Sequence, residues 1–239
     1  MDYLPYIDII PDFPLPGVLF FDFTTLHVNP LVFDRAVSDL IAALSPLTFD
    51  AVVAVEAKGF ILGTRLAAAL SLPLYLARKP GLTPGLVISE DFEKEYGRAT
   101  YEMKAHALAP ATRVLIVYDI LAGPGATNAV ARLIQAQNAI PVAAAFVIEL
   151  EYLPARALLI PERIVSLVKI PSPEPFRDPH HFDPPAPAKS QEINPASTSP
   201  STSASTSPAT SDPTSPTTSG PTSPTTSAPT PPHSTYPYP

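Results

Sequence analysis

The stretch Val114-Leu115-Ile116-Val117-Tyr118-Asp119-Ile120-Leu121-Ala122-Gly123-Pro124-Gly125-Ala126-Thr127 sets an acid behind an apolar run and a small-residue loop ahead of an amphipathic segment. Small residues let backbone N–H groups approach an anion, and a helix start adds partial positive charge. An acid just before such a loop can accept hydrogen bonds from sugar hydroxyls. The combination suits a ribose 5-phosphate. The competing reading is a plain strand-to-helix turn with Thr127 as N-cap and Asp119 as a loop cap. Arg78-Lys79 offers two cations, or else a solvated strand end. Glu90-Asp91-Phe92-Glu93-Lys94-Glu95 offers a movable carboxylate, or else only an exposed charged segment. His180-His181 is flanked by proline and has no partner residues, so it reads as incidental and not as a metal pair.

The elements that would position these groups alternate in type. Ala51-Val52-Val53-Ala54-Val55 is a short continuous apolar run, the mark of a strand buried on both faces. Residues 60–70 follow with helical spacing, then strands at 74–77, 114–117, 142–148 and 164–168. Helices are predicted over 33–44 and 126–138. Strands separated by helices imply βαβ units, hence an α/β fold with a mainly parallel central sheet flanked by helices. Ligands in such sheets sit beyond the carboxyl ends of the strands. That draws attention to the loops at 56–59, 78–85 and 118–127.

Composition narrows the classes further. The chain has 239 residues, 33 of them proline, with no cysteine and no tryptophan. Fifteen prolines fall in residues 184–239, where Pro-Thr-Ser-Pro-Thr-Thr-Ser-Gly (213–220) recurs as Pro-Thr-Ser-Pro-Thr-Thr-Ser-Ala (221–228). Almost no branched aliphatic side chain is present there to offset ordering entropy, so a disordered Pro/Ser/Thr-rich tail is expected behind a folded body at 1–183. The tail is either inert or a platform for Ser/Thr-Pro modification. Zero cysteines exclude disulfides, thiolate zinc sites and a cysteine nucleophile. No apolar stretch is long enough to span a membrane, and Met1-Asp2-Tyr3-Leu4-Pro5 lacks the basic and apolar regions of a secretory signal. Residues 1–183 carry 14 Lys/Arg against 20 Asp/Glu, a net −6 that argues against bulk nucleic-acid binding. An anionic ligand must therefore be held by a few local groups.

The loop after Val117 resembles the motif by which type I phosphoribosyltransferases bind phosphoribosyl pyrophosphate (PRPP): a hydrophobic strand, two acids, then Ala-Thr-Gly-Gly-Thr. Four further stretches narrow the resemblance to the adenine phosphoribosyltransferase family. They are Ile10-Pro11-Asp12-Phe13-Pro14-Leu15-Pro16-Gly17-Val18-Leu19-Phe20-Phe21-Asp22, Glu56-Ala57-Lys58-Gly59-Phe60, Arg78-Lys79-Pro80-Gly81-Leu82-Thr83-Pro84-Gly85 and Glu95-Tyr96-Gly97-Arg98. The resemblance covers roughly residues 8–170 and says nothing of the tail.

It implies a type I phosphoribosyltransferase fold with a small hood, and transfer of phosphoribosyl from PRPP to N9 of adenine with Mg²⁺, giving AMP and pyrophosphate. It implies Asp119 on the ribose hydroxyls, and Ala122, Gly123, Gly125, Ala126 and Thr127 around the 5-phosphate. Lys58, Arg78 and Lys79 would hold pyrophosphate, and Glu95 would manage the adenine proton. Leu19 to Phe21, with Leu19 and Phe21 as the marked positions, would read the adenine edge through backbone groups. No protein-held metal site is implied. A cytoplasmic homodimer is expected on the same ground.

Departures from the pattern fall on working positions. Tyr118 replaces the first acid. Gly123 and Ala126 replace threonines, Pro124 replaces a glycine and deletes a backbone N–H, Lys58 replaces an arginine, Leu82 a lysine and Phe21 an arginine. Two hypotheses therefore stay open: a working enzyme with a weakened PRPP loop, or a protein that binds nucleotide or PRPP and regulates or pairs with an active homologue.

Overall fold

The apolar runs become the strands of one parallel sheet in a computed structural model that describes residues 1–93, 97–161 and 163–174. A short hairpin comes first, β1 (Asp8–Pro11) antiparallel to β2 (Leu19–Asp22). Its connection is pinned by Asp12, whose Oδ1 accepts from the Gly17 N–H at 2.6 Å. A single turn, α1 (Thr24–His27), leads to α2 (Pro30–Leu44). Helix α2 starts three residues earlier than its apolar spacing predicts. Asn29 caps it by accepting from the Val32 N–H at 3.3 Å, and Pro30 fits the first turn, where no intrahelical donor is needed.

The parallel core alternates as expected: β3 (Ala51–Val55), α3 (Gly59–Leu70), β4 (Leu74–Ala77), then β7 (Arg113–Val117), the two-residue β8 (Ile120–Leu121), α4 (Gly125–Gln135), β9 (Ile140–Leu150) and β10 (Arg163–Ile170). Between β4 and β7 the chain leaves the sheet as an antiparallel hairpin, β5 (Val87–Glu93) with β6 (Arg98–Lys104), which forms the expected hood. Helix α4 stops at Gln135, three residues short of its sequence-predicted end.

The order β10-β9-β7-β3-β4 is parallel throughout, with β8 also pairing on β9. All five residues of β3 are buried. Alternate side chains feed two cores: Val52, Leu115 and Val117 join α2 and α3, while Val53, Val55 and Ile116 join α4 and the hood. Layers on both faces of a parallel sheet make this a three-layer α/β architecture. Helix α3 comes close enough that a Cβ on Gly63 would lie 2.5 Å from the Ala54 Cβ, so only glycine fits this crossing.

The chain runs from β3 through α3 to β4 on one side and from β7 through α4 to β9 on the other. The order therefore reverses between β3 and β7, which opens a crevice at their carboxyl ends. Among the described residues no helix is long and apolar enough to cross a membrane. The boundary expected at 183/184, the tail, His180 and His181 lie outside the described residues.

Candidate active site

Two loops leave that crevice, 56–58 after β3 and 118–124 after β7, and they touch. A Cβ on Gly59 would stand 2.8 Å from the Val117 carbonyl and 3.4 Å from the Tyr118 ring, so glycine alone lets α3 start here. Tyr118 and Asp119 follow the end of β7 at Val117, where the chain bends before β8. Asp119 is 9% exposed, and its backbone carbonyl accepts from both Val147 and Ile148 N–H groups, which locks the turn between β7 and β8. Its Oδ1 is buried and has no partner within the protein. Burial pushes this carboxyl above the ordinary carboxylate range, and Lys58 pulls it part of the way back. Such an oxygen calls for a donor from outside.

The Lys58 ammonium lies over the rings of Phe20 and Phe23, 4.4 and 4.8 Å from their centroids. Phe21, between them in sequence, is 4% exposed and faces the core; Leu19 packs against the same core. Phe21 can therefore meet a ligand only through its backbone, while Leu19 is half-buried.

Tyr118 packs in the opposite core. Its hydroxyl lies 3.2 Å from that of Tyr101 on β6, and Tyr101 donates to the Glu56 carbonyl at 3.2 Å. Burial raises the pKa of both phenols, most strongly for Tyr118, and Asp119 adds to the effect, so both stay neutral. Tyrosine thus occupies the first-acid position without placing charge there.

Beyond Ala122 and Gly123, helix α4 opens at Gly125 with Pro124 before it and no side-chain cap. Thr127 is the third helical residue and 1% exposed, so the N-cap role that the turn reading gave it is corrected. The start of α4 lies against the hood. A cavity of about 510 Å³ lies there, bounded by Phe92, Glu93, Arg98, Pro124, Gly125 and Arg132.

The loop that carries Arg78 and Lys79 is held by two carboxylates that sequence reasoning did not find. Glu56 accepts from the Lys79 backbone N–H at 2.8 Å and lies 3.7 Å from Arg78 Nε, while Arg78 donates to the Leu82 carbonyl at 2.5 Å. Glu102 on β6 accepts from the N–H groups of Gly81, Leu82 and Thr83 at 3.1, 3.1 and 2.8 Å. Desolvation pushes Glu102 up, but these donors outweigh it and hold the carboxyl below its usual range. No local motif signals this role, because the donors lie some twenty residues earlier in the chain. Glu95 lies outside the described residues.

Among the described residues no three His, Cys, Asp or Glu side chains gather closely enough to hold a metal ion alone. The unpartnered Asp119 oxygen does fit an ion that arrives already bound to ligand phosphates, as Mg²⁺ commonly does.

No family model matches the chain. An adenine phosphoribosyltransferase of Synechococcus sp. (strain JA-3-3Ab) is 42% identical over 171 residues, which cover 71% of this chain and 98% of that protein. One from Desulfitobacterium hafniense (strain Y51) is 40% identical over 169 residues, 98% of its length. The chain belongs to the adenine phosphoribosyltransferase family. Solved structures of that family agree. The enzyme from Thermoanaerobacter pseudethanolicus superposes with a TM-score of 0.67 at 36% identity, covering 69% of this chain and 96% of that one. The enzyme from Saccharomyces cerevisiae, in complex with an imino-altritol bisphosphate and adenine, gives 0.64 at 32% identity over 68% and 94%. As an adenine phosphoribosyltransferase family member, the chain is of the phosphoribosyl-transferring, glycosyltransferase class, and its mainly parallel sheet is that family's fold.

Proposed function

We propose that the chain converts adenine and PRPP to AMP and pyrophosphate, a purine-salvage reaction. One observation carries the reading: Asp119, with a buried oxygen lacking any partner, stands ahead of a small-residue loop that opens α4 at the switch point between β3 and β7. In this reading Asp119 accepts from the ribose hydroxyls. Backbone N–H groups of Gly123, Gly125, Ala126 and Thr127, beside Ala122, receive the 5-phosphate. Adenine N9 bonds to C1′ as the bond from C1′ to the pyrophosphate oxygen breaks, and the N9 proton passes to Glu95. Lys58, Arg78 and Lys79 offset the charge on the departing pyrophosphate. The transition state is oxocarbenium-like, so positioning and electrostatics supply most of the catalysis. Backbone groups at Leu19 and Phe21 read the adenine edge.

Asp119 is also the carboxylate available to a Mg²⁺ that arrives on PRPP; when bound, the ion supplies charge neutralisation at the leaving pyrophosphate. A cytoplasmic homodimer and a tail separate from the folded body at 184–239 belong to the same reading, on the family resemblance and the tail's composition.

The test is direct: full-length protein with adenine, PRPP and Mg²⁺, with AMP and pyrophosphate measured together. Equal yields of both are expected. Measurable PRPP binding with no AMP at saturating substrates would reject turnover.

A further inference from the structure

We propose that Tyr118 is a positioning residue: through Tyr101 it ties the ribose loop and the pyrophosphate loop to the hood. This deepens the function proposed above and rests on it for its kinetic form. Three segments meet at two hydroxyls. Tyr118 ends the β7 side, Tyr101 belongs to hood strand β6, and Glu56 begins the loop after β3. Each phenol has one proton. Tyr101 donates its proton to the Glu56 carbonyl, so the Tyr118–Tyr101 contact at 3.2 Å is Tyr118 donating to the Tyr101 oxygen. The chain therefore has a direction, from the ribose loop through the hood to the pyrophosphate loop.

Packing fixes both ends of it. The Phe92 ring of β5 stacks on Tyr101 at 5.2 Å with an interplanar angle of 13°, so both hood strands are engaged. The Tyr118 ring abuts Gly59 at the start of α3. Glu56, at the far end, holds the Lys79 N–H and stands beside Arg78. A shift at Tyr118 would reach the groups assigned to pyrophosphate without any contact to PRPP from the tyrosine itself. An aspartate at 118 would lose these links, because its side chain is too short to meet Tyr101. The residue that removes an acid from the site thus supplies a brace.

Tyr118→Phe in the full-length protein isolates the hydroxyl. The ring remains, and Tyr101 keeps Glu56 as its acceptor, so no donor is orphaned. Losing one such bond should raise KM for PRPP about two- to tenfold, with kcat and KM for adenine unchanged. Tyr101→Phe removes both links and should raise KM for PRPP further. The double variant should be no worse than Tyr101→Phe alone, since the two hydroxyls act in series. Amide hydrogen exchange, which needs no turnover, should quicken in residues 87–93 and 98–104 of Tyr118→Phe and stay unchanged in β9. Unchanged PRPP affinity together with unchanged hood exchange would overturn the proposal. So would a uniform loss of melting temperature and kcat with KM for PRPP untouched, which is the mark of mere space-filling. Should the wild type make no AMP, the enzymatic reading fails, and the exchange comparison still decides this one.

Discussion

The backbone carbonyl of Glu93 occupies the space that a side chain on Gly125 would need: a Cβ there would stand 2.5 Å from the carbonyl oxygen and 3.1 Å from the Phe92 ring. The hood strand thus rests directly on the first residue of α4. Gly125→Ala should push β5 away, cost about 1–3 kcal/mol through overpacking, and weaken PRPP binding. Gly123→Ala, with nothing within 4 Å of its Cβ, should leave the urea midpoint unchanged. Equal midpoints for the two variants would contradict this contact.

Glu102 gathers three backbone N–H groups of the loop after Lys79. Glu102→Gln puts an amide where only acceptors are tolerated, so the loop should loosen. We expect KM for PRPP to rise about tenfold or more, since unpaired buried donors cost roughly 1–3 kcal/mol each. Steady-state kinetics at saturating adenine read this, and an unchanged KM would show that the loop holds itself.

Pro124 stands immediately before α4 and cannot donate. Pro124→Gly restores one N–H to the loop assigned to the 5-phosphate. PRPP or ribose 5-phosphate should bind several-fold more tightly by calorimetry, less the entropy of a freer loop. Weaker binding would mean that the fixed backbone at Pro124 matters more than the missing donor.

Glu149 gives the pH dependence a sign. Its carboxyl is desolvated, yet Arg156 grips it at 2.5 and 2.6 Å and Ser166 donates at 2.8 Å, so the folded pKa falls below the ordinary 4.5. Stabilisation by the ionised pair is complete above the unfolded value and is lost as pH falls through the folded one. Glu149→Gln should melt below the wild type at pH 7, and the two melting curves should converge as acid is added. Parallel curves down to strong acid would remove Glu149 from the acid response.

The sheet was legible because its strands are buried on both faces. Ala51–Val55 has no polar residue to confuse its reading, and small-residue loops follow strand ends where ligands bind in such folds. The hood was not. Glu90, Asp91 and Glu93 line β5 with charge, and only Ile88 and the buried Phe92 pack on the core, so a paired strand reads as a solvated run. Asp119 could be singled out from its loop as a ligand candidate, with a loop cap as the competing reading. Glu102 could not, because its task is to collect backbone donors that no side-chain pattern reveals. Tyr118 reads only as a missing acid until Tyr101 is seen opposite it.

The pairing of Ala51 with Val114 across β3 and β7 also bears on how the chain is made. Strand β3 gains its inner neighbour only after the whole hood and β4 have been synthesised. Until then a fully apolar strand waits with one edge open. Contacts so distant in sequence slow folding and expose edges to other chains. The crevice between β3 and β7 can therefore close only after the hood has been synthesised, and β9 completes the sheet on its far side later still.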